Sequence, residues 1–275
     1  MKILVADPAK NITVFVLDPV EDPAGRSALA GAIMSDERIR AEQVGFIIPP
    51  DRSTSSSGAA LWRLEMADGE FCGNATRSFG LYVARAEGFR GRRRLFVSVS
   101  GMKEPVQTEA DTELNWAAAE MPGPALVDTL EFDGRSLPVL VFEGITHVIA
   151  PDLEAERDRF FAIKAILDGK FSDSSFSAIG VMFYDTKNRY MRPAVYVPST
   201  NNLVFESSCG SGSAALGAWL CREQRNGIAT YAIKQPGGII ETEVEKREGQ
   251  IRSISIGGKV EFGTPEDFPY ERPFL

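Results

Sequence analysis

The sequence nearly repeats itself at an interval that constrains any fold it can adopt. Cys72-Gly73-Asn74-Ala75-Thr76-Arg77-Ser78-Phe79-Gly80 and Cys209-Gly210-Ser211-Gly212-Ser213-Ala214-Ala215-Leu216-Gly217 lie 137 positions apart (209 − 72). They share the cysteine, the glycine after it and a second glycine eight positions on. Conservative pairs fill much of the rest: Ala75 with Gly212, Thr76 with Ser213, Phe79 with Leu216, Tyr82 with Trp219 and Val83 with Leu220. The register persists downstream, where Gly101 and Gly238 each follow their cysteine by 29 positions (101 − 72, 238 − 209). A chain of 275 residues with this pattern is expected to form two similar halves, each long enough to bury a core and each carrying one thiol. Packing alone does not require cysteine itself to recur at the matching place. A reaction that takes a proton from one side of an atom and returns one to the other does call for two matched groups.

Each motif reads as a loop, then Cys-Gly, then a small polar residue and an apolar-periodic helix. The amide hydrogens of a first helical turn have no partner inside the helix, and glycine lets a ligand approach the backbone closely. Such a helix start favours negative charge by about 0.3–1 kcal/mol when exposed. The expectation is therefore that both thiols are lowered from their usual value of about 8.5 towards neutrality. The amides of Gly73, Asn74, Gly210 and Ser211 are expected to hold a carboxylate. Cys221 has no counterpart in the first half and is expected only to pack. Three cysteines, one histidine (His147) and no C-x-x-C pair argue against a zinc site, a disulfide set or a dithiol redox centre. No metal and no cofactor are expected.

Short β-type runs at 12–17, 43–48, 95–100, 137–142, 180–185 and 194–197 are interleaved with only four helical stretches, at about 26–35, 74–87, 153–169 and 211–225. This predicts an α+β fold, with Asp152 capping the third helix and Gly169 stopping it. The boundary is placed near Thr112, giving an N-terminal domain 1–112 and a C-terminal domain 113–259, with a strand at about 260–275 returning to the first. The polar run from Asp51 to Ser57 is read as a mobile loop. With a net charge of −8, nucleic acid and anionic membrane are not expected partners, and Arg90 with Arg92, Arg93 and Arg94 is read as a solvated loop. No long apolar run or cleavable leader is evident, so a cytoplasmic setting is expected.

Together these residues resemble the cofactor-independent amino-acid racemases and epimerases typified by diaminopimelate epimerase. Cys72-Gly73-Asn74-Ala75 and Cys209-Gly210-Ser211-Gly212 resemble that family's two catalytic cysteine loops. Asn11 resembles its substrate-binding asparagine and Glu42-Gln43-Val44 its Asp-Gln-hydrophobic step. Gly144-Ile145-Thr146-His147 resembles its Gly-Asn-Pro-His segment, and Glu206 the acidic residue that approaches the thiols from the other side. Ser100 and Gly212 complete the set expected to assist. The resemblance implies two pseudo-symmetric domains, each a curved sheet or barrel around a central helix, with the active site in the cleft between them. It further implies a small-molecule amino-acid substrate, a homodimer, and Cys72 and Cys209 as alternating thiolate base and thiol acid.

Departures from the pattern bear on the substrate. Diaminopimelate epimerase has a Glu-Arg pair before its second cysteine, whereas Glu206-Ser207-Ser208-Cys209 keeps the glutamate and lacks the arginine. Ile145-Thr146 replaces Asn-Pro. The strings Glu42-Gln43-Val44-Gly45-Phe46-Ile47, Glu70-Phe71-Cys72-Gly73-Asn74-Ala75-Thr76, Ser207-Ser208-Cys209-Gly210-Ser211-Gly212 and Gln235-Pro236-Gly237-Gly238 are more similar to the histidine racemases of opine-type metallophore biosynthesis. In that setting Glu42 would meet the imidazole. Diaminopimelate epimerisation, a cysteine hydrolase using His147 and a non-catalytic amino-acid binder stay open as alternatives.

Overall fold

The computed structural model describes residues 1–51, 61–171 and 176–270; beyond Asp51, the run expected to form a mobile loop lies outside them. The chain divides into two compact units, residues 1–120 with 257–275, and residues 121–256. The first break falls later than position 112 because the strand after it, Trp116–Met121, pairs back onto Val106–Asp111.

The first unit contains β1 (Lys2–Asp7), β2 (Thr13–Val16), α1 (Pro23–Met34), β3 (Gln43–Ile48), β4 (Arg63–Met66), α2 (Gly73–Ala86), β5 (Arg92–Val99), β6 (Val106–Asp111) and β7 (Trp116–Met121). β1 pairs antiparallel with β2, β2 parallel with β3, β3 antiparallel with β4, β4 parallel with β5, and β5 antiparallel with β6. In β3 the four central residues are all buried, because helices cover both of its faces. Val44 and Phe46 pack with Leu29, Ala30 and Ile33 of α1. Ile47, on the opposite face, packs with Phe79 and Leu81 of α2, side chains whose burial is worth about 1.5–3 kcal/mol each.

The second unit contains β8 (Leu126–Phe132), β9 (Arg135–Phe142), β10 (Ile145–Pro151), α3 (Arg157–Lys170), β11 (Ala178–Asp185), β12 (Tyr190–Val197), β13 (Asn202–Phe205), α4 (Gly210–Leu220), β14 (Gly227–Gln235) and β15 (Gly238–Arg247). The order of pairings is the same: β9 antiparallel with β10, β10 parallel with β11, β11 antiparallel with β12, β12 parallel with β14, and β14 antiparallel with β15. Strand β11 is again buried on both faces. Ile179, Val181 and Phe183 meet Phe160, Ile163 and Leu167 of α3, while Met182 lies against Gly212 of α4. The chain continues through β16 (Gln250–Lys259), and β17 (Glu261–Phe262) and β18 (Glu266–Asp267) then add to β1 in the first unit.

The second shared glycine of each motif has a packing cause. A Cβ on Gly80 would stand 2.6 Å from Thr108 Oγ1 of β6, and one on Gly217 would overlap Thr242 of β15. Each helix can therefore approach its strand only where glycine sits.

Three expectations are corrected. Asp152 does not cap α3: its φ is 53°, and its carboxylate accepts from the Thr186 amide and hydroxyl, each at 2.9 Å. The cap of α3 is Glu156, with no side-chain hydrogen bond, and Gly169 lies inside the helix, which runs to Lys170. Arg92, Arg93 and Arg94 form the start of β5, where Arg92 and Arg94 bridge Glu109 and Arg93 covers the Phe89 ring at 4.7 Å. Among the described residues, no helix is long and apolar enough to cross a membrane.

Candidate active site

Both cysteines are helix N-caps, and their backbones are nearly superposable in angle. Cys72 has φ −123° and ψ 114°, Cys209 φ −126° and ψ 116°. In each case the cysteine carbonyl accepts the first helical bond, from Thr76 N at 2.8 Å and from Ser213 N at 3.0 Å. The hydroxyls of Thr76 and Ser213 donate to that same carbonyl at 2.7 and 2.6 Å. Each sulfur accepts from the amide three positions on, Ala75 N and Gly212 N, at 3.4 Å in both halves. Sulfur thus takes the place usually held by a serine or aspartate cap oxygen.

The loop before each cysteine is tied at the same place by different means. Ser100 Oγ donates to Glu70 O at 2.9 Å and accepts from Met66 N, whereas the Gly237 amide donates to Ser207 O at 2.7 Å. Both carbonyls lie two positions before their cysteine (72 − 70, 209 − 207). Ser100 therefore holds the loop that presents Cys72.

Around Cys72, the Gln43 side chain and the amides of Ala75 and Asn74 favour the thiolate. Desolvation and the nearby Glu70 charge oppose them, and the thiol is pushed up to about 11. The Asn74 side chain continues into the unit: Asn74 Nδ2 donates to Asn11 Oδ1 at 3.1 Å, and Asn11 Nδ2 to Glu42 Oε2 at 2.6 Å. The sequence thus brings Asn11, Glu42, Gln43, Gly73 and Asn74 together at the start of α2.

Around Cys209, Ser211 Oγ lies 3.6 Å from the sulfur and 2.9 Å from His147 Nε2. Desolvation raises this thiol well above its ordinary value, with the Glu206 carboxylate raising it further and Ser211 and the Gly212 amide lowering it. His147 is fully buried, and desolvation holds its imidazole down to about 3, so the ring is neutral. Its Nδ1 has no hydrogen-bond partner among the described residues, and a Cβ on Gly180 would overlap the ring. Gly210, Ser211, Gly212, His147 and Glu206 are thus brought to Cys209. The expected drop of both thiols towards neutrality is corrected: burial outweighs the hydrogen bonds to each sulfur.

Four further residues lie outside the set expected from sequence to form the site. Gln235 Oε1 accepts the Cys209 amide at 2.8 Å while its Nε2 donates to Ser213 Oγ at 2.9 Å, fixing the entry to α4. It opens the Gln235-Pro236-Gly237-Gly238 string, three positions before the repeated Gly238. Glu70 faces Cys72, Gly180 makes room for His147, and Arg77 is buried at Asn74. Among the described residues no three His, Cys, Asp or Glu side chains gather as metal ligands.

A family model described as the histidine racemase CntK N-terminal domain matches residues 1–264. The chain belongs to the histidine racemase family. It is accordingly an isomerase, a racemase of amino acids. A histidine racemase of Fusobacterium nucleatum is 31% identical over 250 residues, covering 89% of this chain and 90% of the relative. Among solved structures, a predicted epimerase from Pseudomonas aeruginosa superposes with a TM-score of 0.66 at 13% identity, covering 98% of this chain and 99% of the other. A probable proline racemase from Agrobacterium radiobacter gives 0.63 at 12% identity, with 98% and 93% covered. The fold is therefore one that this racemase and epimerase group shares.

Proposed function

We propose that the protein interconverts L- and D-histidine without a cofactor, using Cys72 and Cys209 as its two acid–base groups. The observation that carries this reading is the matched cap geometry of the two cysteines, each with a helix-start amide on its sulfur at 3.4 Å. One thiolate removes the α-hydrogen while the other thiol delivers a proton, and the roles exchange for the opposite enantiomer. The raised thiols suit this chemistry. Desolvation makes a thiolate harder to form but a stronger base once formed, and it keeps the partner protonated as the acid. The amides of Gly73, Asn74, Gly210 and Ser211 hold the α-carboxylate, whose charge they and the helix dipoles stabilise as the carbanion develops.

Histidine is supported by the named relatives and by Glu42, which stands exposed beside Asn11 and takes no hydrogen bond on Oε1 from the described residues. A carboxylate so placed suits the imidazole N–H of the substrate. The resemblance to opine-type enzymes also supports a diaminopimelate epimerase-like fold, a cytoplasmic homodimer, and delivery of D-histidine to metallophore synthesis. The test is a substrate panel read by chiral chromatography. Turnover of histidine well above diaminopimelate and other amino acids is expected, and turnover of diaminopimelate in preference to histidine would contradict the assignment.

A further inference from the structure

Arg77 carries a positive charge at 0% exposure inside α2, five positions after Cys72, a location that is costly unless its fork is fully engaged. Its Nη1 donates to the carbonyls of Gly258 and Lys259 at 3.1 and 3.2 Å, and its Nε to Asn74 Oδ1 at 3.0 Å. From there the chain already described runs through Asn74 Nδ2 to Asn11 Oδ1 and through Asn11 Nδ2 to Glu42 Oε2. Exposure rises along it, from Arg77 at 0% through Asn74 at 2% and Asn11 at 5% to the exposed Glu42.

We propose that Arg77 is a positioning residue for substrate recognition, which through Asn74 and Asn11 fixes the Glu42 carboxylate in a single orientation. The reason lies in the two ends of the chain. A guanidinium can only donate and a carboxylate only accepts, so each amide between them has one allowed direction. Flipping Asn74 would turn an N–H towards the guanidinium, and flipping Asn11 would turn a carbonyl oxygen towards the carboxylate. With Arg77 in place neither flip is tolerated, and Glu42 is left with Oε2 occupied and Oε1 presented. Without Arg77 the Asn74 amide can turn, Asn11 follows, and the carboxylate loses its anchor. The buried cation thus acts on recognition from a distance, as a polarised hydrogen-bond chain allows.

This inference rests on the reading that Glu42 meets the substrate side chain, and a double-mutant cycle separates the two. Glu42→Gln should raise KM for L-histidine by about tenfold, with less change in kcat, the worth of one charge-assisted hydrogen bond. Arg77→Met should raise KM by about fivefold in the native background and by under about twofold in the Glu42→Gln background. The same factor in both backgrounds, or a loss confined to kcat, would show that Arg77 merely holds the helix, and would overturn the proposal while leaving Glu42 in its role. An unchanged KM in Glu42→Gln would remove the substrate role of Glu42 and the proposal with it. Should Arg77→Met fail to fold, Arg77→Gln offers Asn74 an acceptor as well as a donor, and the same background-dependent rise in KM is required of it.

Discussion

In the first half of the molecule the parallel strands β2 and β3 set Thr13 opposite Gln43, and the Gln43 side chain favours the Cys72 thiolate. In the second half β10 and β11 set His147 opposite Gly180, and it is His147 that reaches towards Cys209, through Ser211. Gly180 follows Gln43 by 137 positions (180 − 43), the interval that also separates the two cysteines. The large side chain has therefore crossed from one strand of the pair to the other. A second exchange accompanies it at the same interval: Ala75 and Gly45 in one half correspond to Gly212 and Met182 in the other, where the Met182 sulfur occupies the space a Cβ on Gly212 would need. Each half keeps its packing by moving volume between elements, as close-packed interiors require. The chemical result is unequal support for two equivalent thiols. Cys72 is favoured as a thiolate by the neutral amide side chain of Gln43, while Cys209 has a hydroxyl backed by a neutral imidazole, with a carboxylate alongside.

The largest expected effect tests whether the two halves are partners or one is a spare. Cys72→Ala and Cys209→Ala should each lower histidine racemisation by about a thousandfold or more, with melting temperatures little changed. Ordinary turnover by either variant would mean that its half contributes no acid or base. A smaller effect tests the volume exchange. Gly180→Ala should destabilise the protein by about 1–3 kcal/mol in urea denaturation, because the added carbon would lie 2.8 Å from His147 Cε1. Gly180→Gln should destabilise the protein further, and adding His147→Thr to it, which copies the first-half pairing into the second, should restore most of that loss. A neutral Gly180→Ala would break the comparison at this point.

The smallest effect is a pH slope present in one half alone. His147 stays neutral in the folded protein down to about 3, whereas in the unfolded chain it takes up a proton below about 6.5. The unfolded state therefore binds more protons as pH falls from about 6.5 towards 3, and His147 lowers stability there with a slope approaching about 1.4 kcal/mol per unit, but not above. His147→Gln should be less acid-sensitive than the native protein between pH 7 and 5. Equal loss in both would indicate that the imidazole is charged in the folded state.

The repeat made the two caps legible, because a cysteine, a glycine and a helix in register predict the same local backbone twice. His147 and Glu206 were readable by resemblance, and the fold sets His147 against Ser211 and the Glu206 carboxylate near the Cys209 thiol. Other features depend on contacts that no local pattern encodes. The partner of Asp152 is Thr186, brought near only when β10 and β11 pair, so from sequence alone an aspartate just before a helical stretch looks like its cap. The thiols shift upward, opposite to what the helix starts alone imply, because helix starts are visible in a sequence whereas the depth of burial at each is set by the surrounding strands. Arg77 sits within the quoted motif, yet nothing marks an arginine as fully buried until the carbonyls of Gly258 and Lys259 fold against it. Gly180 becomes informative only when the 137-residue interval is applied to Gln43 as well as to the cysteines.

The most direct test of a two-thiol proton exchange is early isotope incorporation. When L-histidine is incubated with the protein in heavy water and both enantiomers are analysed at low conversion, D-histidine should carry deuterium at Cα while the remaining L-histidine stays protonated. Equal early labelling of both enantiomers would indicate a single base that exchanges its proton with solvent, and would contradict the assignment of one acid–base group to each half.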